Sequence, residues 1–247
     1  MRKLPGHHAS SSVVRFKSTQ RPLVNTQRAS VNAHPKIETC LPPAPLDIDA
    51  LFRNPRMFDS RQAFHKSGFE VWQNNRHNIM VGSHPSAPDH LFKQYDGHVP
   101  LATQLTNYAR REKVARSLRE VIFEKGFRRL VVPQKWICSL PRPFGDRKLL
   151  IVERMKLLDR NEVAQRYHHI DEDQLKELCW ALFKFRHLDA APHNIIFVRS
   201  GQIAFIDTEH WNPPGTDLLH RLRDSLPSHA RKLAYHFFDQ WKRGKDF

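Results

Sequence analysis

The sequence predicts an α+β chain: a small sheet carrying one helix, followed by a mostly helical segment that holds a single short hairpin. Three observations predict it. Short apolar runs bounded by turn residues recur from Gly68 to Tyr95 and from Leu130 to Met155, the pattern of β-strands. Between them, Leu101–Glu124 places Leu105, Tyr108, Ala115 and Ile122 at helical spacing. After Asp159 helical stripes dominate, broken by two apolar runs on either side of Ser200-Gly201, a hairpin signal.

Taken in order, residues 1–45 are rich in Ser, Arg, His and Pro, with no acidic residue before Glu38. Without apolar periodicity they read as a disordered basic tail. Residues 46–66 hold a short apolar stretch (Leu46, Ile48, Leu51, Phe52), suited to a small helix, and then polar loop. Phe69, Val71 and Trp72 form a first strand, Gln73–Asn78 a turn, Ile79–Val81 a second strand and His90–Tyr95 a third. Leu130–Val132 and Trp136–Cys138 suggest a fourth, irregular at Pro133, and Lys148–Met155 a buried strand running into a linker. The sheet part is thus residues 46–154 and the helical part 155–247. In the latter, Asp159-x-x-Glu162 has capping-box spacing and opens a helix to about Tyr167. Asp171-x-x-Gln174 opens a longer one, whose Leu175, Leu178, Cys179, Leu182 and Phe183 form one apolar face. Two further helices follow at Asp217–Ser225 and Ser228–Trp241, the second with Leu233, Ala234, Phe237, Phe238 and Trp241 on one side.

The hairpin strands, Asn194–Val198 and Gln202–Ile206, carry polar residues at their edges: Asp189 and Asn194 before the first, Asp207 after the second. Two carboxylates and an amide at one end of a ribbon are hard oxygen ligands, better suited to Mg²⁺ than to zinc. In the sheet, Lys93 lies inside an apolar strand, where an ammonium needs a partner. On the 101–124 helix Glu112 falls in the middle of the apolar stripe, and a carboxylate facing the core wants a cation. The simpler alternative is an ordinary i,i+4 pair of Glu112 with Arg116.

His187-Leu-Asp189-x-x-x-x-Asn194 resembles the catalytic loop of protein kinases, and Asp207-Thr-Glu209 stands where that family has Asp-Phe-Gly. The match in motif style is to the outlying kinase-like enzymes, such as aminoglycoside phosphotransferases and lipopolysaccharide kinases. The departures are Leu188 for Arg and Thr208-Glu209 for Phe-Gly. The resemblance implies a two-lobed fold with an abbreviated helical lobe, binding ATP and Mg²⁺ between the lobes. It implies Asp189 as catalytic base, Asn194 and Asp207 as metal ligands, and Glu209 as an extra metal contact. It further implies that Lys93 holds the ATP phosphates and pairs with Glu112, and that Glu153 to Met155 offer backbone groups to adenine. It weakens at the turn between the first two strands, which has no glycine; Gly82–Ser86 is a poor substitute. Loss of activity in a nucleotide-binding scaffold is the first alternative.

Composition bounds the rest. The net charge of +15 raises a second alternative, a basic nucleic-acid or anionic-surface binder. The basic residues are spread out, however, and no nucleic-acid motif accompanies them, so weak polyanion binding is the expectation. The acceptor of a phosphoryl group would be a small-molecule, sugar, lipid or protein hydroxyl. No apolar run approaches a membrane span, and Cys40, Cys138 and Cys179 lack paired or metal-type spacing, which fits a reducing compartment. The expected location is the cytoplasm. The Arg- and Ser-rich, acid-poor start is also similar to a mitochondrial transit peptide, although Pro5 and Pro22 interrupt any long amphipathic helix, and a leader for secretion outside the Sec route would look equally featureless.

Overall fold

A computed structural model describes residues 46–74, 79–95, 99–186, 188–208 and 218–245, apart from the side chains of 73, 74 and 218. These fall in one compact unit. It opens with helix α1 (Ile48–Leu51), a 3-10 turn at Pro55–Phe58 and helix α2 (Arg61–Lys66). The polar loop expected after Phe52 is therefore helical in two places. Its polar residues are caps: Asp47, Asn54 and Ser60 accept the N–H groups of Ala50, Arg56 and Ala63 at 2.9, 3.0 and 3.1 Å. The apolar residues between them, Met57, Phe58 and Phe64, are buried. They join Phe52, Phe69, Phe92 and Phe144 in an aromatic cluster, with Phe64 and Phe69 stacked at 4.3 Å between ring centroids.

This cluster covers one face of a five-stranded antiparallel sheet of order β1-β2-β3-β6-β5. Its strands are β1 (Glu70–Asn74), β2 (Ile79–His84), β3 (Ala87–Tyr95), β5 (Lys135–Ser139) and β6 (Lys148–Glu153). Gly82 lies within β2 rather than in a phosphate loop. A Cβ there would stand 2.8 Å from Phe64 Cε1 and 3.2 Å from the Glu70 carbonyl oxygen. The glycine is needed so that the aromatic cluster can reach the sheet. Gly82→Ala is expected to destabilise the protein by about 1–3 kcal/mol, read from the urea midpoint; an unchanged midpoint would mean that the Phe64 ring simply yields.

A second, three-stranded sheet has the order β4-β8-β7, from β4 (Leu130–Val131), β7 (Ile195–Phe197) and β8 (Ile203–Phe205). The fourth strand expected from the sequence is thus two strands in two sheets. Leu130–Val131 runs parallel to β8, while Lys135–Ser139 pairs antiparallel with β6. Pro133 lies between them and has no N–H for a ladder.

Helix α3 (Leu101–Glu124) docks on β3 through Tyr108. Its buried hydroxyl accepts from Tyr95 N–H at 3.2 Å and donates to the Lys93 carbonyl at 3.1 Å. The remaining helices are α4 (Arg160–His168), α5 (Glu172–Lys184), α6 (Leu218–Leu222) and α7 (Ser228–Lys242). The capping box of α4 forms as expected: Asp159 accepts from Glu162 N–H and Glu162 from Asp159 N–H, each at 2.9 Å. Helices α5 and α7 pack through Phe183, Phe238 and Trp241 in the larger core. Among the described residues no helix is long and apolar enough to cross a membrane.

Candidate active site

The loop before β7 is held by its own backbone. Leu188, buried, donates its N–H to the Phe185 carbonyl at 2.9 Å, and Asn194 N–H donates to the Ala191 carbonyl at 2.8 Å. This brings Asp189 and Asn194 together. Asp189 Oδ2 accepts from Asn194 Nδ2 at 2.9 Å, and Oδ1 accepts from Ala191 N–H at 3.2 Å. Arg221 of α6 adds an ion pair from Nη1 to Oδ1 at 2.5 Å. The β7–β8 ladder continues one step beyond its strands, with Ile206 N–H donating to the Asn194 carbonyl at 2.9 Å. Asp207 therefore follows directly on the cross-strand partner of Asn194. Gly201, with φ of 85°, makes the tight turn that fixes this register.

A hard cation fits this donor set. With Nδ2 of Asn194 committed to Asp189, its Oδ1 is left as an oxygen ligand, and Asp207 adds a carboxylate. Among the described residues no three His, Cys, Asp or Glu side chains gather as a metal site. A Mg²⁺ that arrives with phosphates needs no such cluster, since one or two carboxylates suffice. Glu209 and His187 lie outside the described residues, as does the 75–78 part of the glycine-free turn.

Above the hairpin a cavity of about 770 Å³ opens between the sheet and the linker. Val81, Leu91, Lys93 and Val152 form its sheet side, Glu153 to Leu157 its linker side, and Ile206 lies beside Asp207. Lys93, Glu153 and Met155 thus line the same cavity. Within the linker the backbone N–H groups are not equally available. The N–H groups of Glu153 and Arg154 already donate, to the carbonyls of Gln134 at 2.9 Å and Asp89 at 2.8 Å. The Glu153 carboxylate accepts from Gln134 N–H at 2.9 Å, so this residue ties the linker to the approach to β5. Met155 N–H has no such bond among the described residues. At the cavity edge the Arg154 guanidinium lies 5.4 Å from the centroid of the Trp72 ring.

Helix α3 presents a different residue from the one expected. Its buried stripe is Gln104, Tyr108, Arg111, Ala115 and Leu118. Glu112, one position round the helix from Arg111, has a side chain 17% exposed and pairs with Arg116 at 3.5 Å. It therefore stands at the stripe's edge rather than in its middle. The stripe looked different from the sequence because two of its five members are polar: Gln104 accepts from Gln94 at 3.3 Å and donates to the Val99 carbonyl at 2.7 Å.

Residues not singled out in the sequence complete the site. Lys135, at the start of β5, is buried, and its ammonium donates to Thr208 Oγ1 at 2.7 Å. Thr208, also buried, donates to the Arg111 carbonyl at 2.7 Å. Burial pushes Lys135 down to about 7; Asp207 opposes the shift, while Lys93, Arg111 and Arg119 add to it. A lysine directly before the apolar run Trp136-Ile-Cys138 was the available signal for this group. Arg221 had none, since nothing in the sequence ties a basic residue of α6 to the loop.

The order of parts, two short helices, a sheet into which α3 is inserted, a linker, helices, a polar loop and a hairpin, matches the arrangement that the motif's resemblance implies, with the two short helices added at its start. No protein-family model matches the chain, and no curated protein sequence does. Solved structures similar to it include WbdD, at 13% identity over 71% of this chain and 46% of that one, with a TM-score of 0.36. Another is APH(2")-IIia in complex with GDP and kanamycin, at 9% identity over 69% of this chain and 77% of that one, with a TM-score of 0.35. A third is the MAP kinase LmaMPK10 from Leishmania major, at 14% identity over 76% of this chain and 65% of that one, with a TM-score of 0.33. The chain thus spans about half the length of WbdD.

Proposed function

We propose that the protein is a phosphotransferase that moves the γ-phosphoryl group of Mg·ATP to a hydroxyl of an acceptor. The observation that carries this reading is the cavity. It gathers a strand lysine, an inter-segment linker and Ile206, the residue preceding Asp207, and the bonded Asp189–Asn194 pair stands at the start of the hairpin that carries Ile206. In this reading the adenine lies against the linker, with Met155 N–H as its hydrogen-bond donor. The Lys93 ammonium holds the α- and β-phosphates. Asn194 Oδ1 and Asp207 hold Mg²⁺, and Glu209 is a further ligand. The cation supplies charge neutralisation at the phosphates. Asp189 orients the acceptor hydroxyl and takes its proton as the new O–P bond forms and the bond to ADP breaks. Glu112, paired with Arg116 at the edge of the α3 stripe, offsets the cationic charge of Arg119 and its neighbours.

The electrostatics support a polyanionic ligand. The Lys135 ammonium feels the positive charges of Lys93, Arg111 and Arg119 as well as the negative charge of Asp207, so basic side chains gather near that carboxylate. Such a field attracts phosphate without glycine N–H groups in the β1–β2 turn. Lys93→Met is expected to raise the apparent KM for Mg·ATP by at least about tenfold, or to abolish turnover, as expected for a phosphate clamp. An unchanged kinetic profile would remove Lys93 from the site.

A second reading, a nucleotide-binding module without turnover, is favoured by the Arg221 ion pair on Asp189 and by the glycine-free turn. Single-turnover transfer from γ-labelled ATP separates the two readings: label on an acceptor or as free phosphate supports the enzyme, and tight Mg·ATP binding with no release supports the module. The acceptor itself is a small-molecule, sugar, lipid or protein hydroxyl. Cytoplasmic residence is the proposed setting, as ATP chemistry and unpaired cysteine spacing both suit it.

A further inference from the structure

The carboxylate of Asp207 has backbone neighbours that are both immobilised. On one side Ile206 N–H is bonded to the Asn194 carbonyl at 2.9 Å. On the other, Thr208 is buried and stands in the middle of a three-residue chain: Lys135 Nζ donates to Thr208 Oγ1, and Thr208 Oγ1 donates to the Arg111 carbonyl, both at 2.7 Å. The three members come from three separate elements. Lys135 starts β5, Thr208 follows β8, and Arg111 is the central buried residue of α3. A hydroxyl suits the middle position because it can accept one hydrogen bond and donate another. Burial of all three removes competing water, so loss of either bond leaves a polar group without compensation.

We propose that Thr208, clamped between Lys135 and helix α3, is the positioning residue for Asp207, and that Lys135 acts through it. The hydroxyl and the ammonium do not touch nucleotide; they fix the peptide that carries the metal-binding carboxylate. The clamp also gives α3 a connection to the site that does not run through an acidic side chain. Its contact is the main-chain carbonyl of Arg111, so the identity of the inward-facing residue on α3 matters less than the position of the helix. This inference rests on the phosphotransferase reading, in that Asp207 must hold a cation alongside nucleotide.

The test is the Mg²⁺ dependence of binding of a fluorescent ATP analogue to the full chain, with binding in EDTA and thermal melting measured alongside. Thr208→Val keeps the shape and removes both hydrogen bonds; Thr208→Ser keeps both. The expected result is that Thr208→Val raises the Mg²⁺ concentration for half-maximal binding about tenfold or more, leaves binding in EDTA unchanged, and that Thr208→Ser restores the wild-type value. Lys135→Gln, which removes the ammonium but leaves the Thr208–Arg111 bond, shifts the half-maximal concentration in the same direction by less, and it carries the test if the valine variant does not fold. A Mg²⁺ dependence within about twofold of wild type in the folded variants, whatever their melting temperatures, overturns the positioning role while the phosphotransferase reading stands. A wild-type protein whose nucleotide binding ignores Mg²⁺ sinks both.

Discussion

Asp207→Ala is expected to fold normally and to lose phosphoryl transfer by at least roughly 10²–10³-fold, the scale on which removing one preorganised electrostatic group acts. The residue is half-buried, at the end of a ladder of main-chain bonds that its truncation leaves in place. What it removes is the carboxylate among Lys93, Lys135, Arg111 and Arg119. The variant should bind nucleotide in EDTA at least as well as wild type does, because those cations remain and no carboxylate competes with the phosphates for them. With Mg²⁺ present it should gain nothing. Transfer from γ-labelled ATP, with circular dichroism to confirm the fold, checks this. Turnover within tenfold of wild type would exclude Asp207 as the metal ligand and with it the mechanism proposed above.

How much of this was legible in the sequence differs by residue. The loop and hairpin were readable because their chemistry is local. Asp189 and Asn194 are brought together across a four-residue loop, and the Ser-Gly turn between two apolar runs sets the register that puts Ile206, the neighbour of Asp207, opposite Asn194. The strand lysine was readable for the same reason, as a charge inside an apolar run. The α3 stripe was not. Periodicity arguments assign polar residues to the outer face, yet Gln104 and Arg111 point inward, where the ends of other chain segments meet them. Glu112 fitted a stripe drawn through Leu105 and Ile122; the buried stripe shares Tyr108 and Ala115 with it but extends to the other side, through Gln104, Arg111 and Leu118. Lys135 and Thr208 were illegible as a pair because 73 residues separate them, and no local pattern reports such a contact. The same applies to Arg221 on Asp189, at a separation of 32. The aromatic segment before β1 was half legible: its caps read as loop because capping residues and loop residues are the same types.

Replacing Lys135 with methionine is expected to make the protein more stable and less able to use Mg²⁺. The buried ammonium is costly: burial holds its pKa at about 7, against 10.5 for an unperturbed lysine. Below pH 7 both folded and unfolded chains carry the proton, and the full cost of burying the charge is present. From about 7 to 10.5 the unfolded chain binds more protons than the folded one, so this residue makes stability increase with pH across that window. Methionine has similar reach and no charge, and Thr208 keeps its bond to the Arg111 carbonyl. Removing the charge removes its desolvation cost, the largest influence on this group, and gives up the smaller attraction to Asp207, so the expected net change is a gain in stability. The advantage should be largest in urea unfolding near pH 6.5 and shrink toward pH 9, because the wild type sheds its proton on folding there. A variant less stable than wild type at the lower pH would show that Asp207 and Thr208 outweigh desolvation. The predicted outcome, gained stability with lost function, is what separates a residue retained for its site from one retained for the fold.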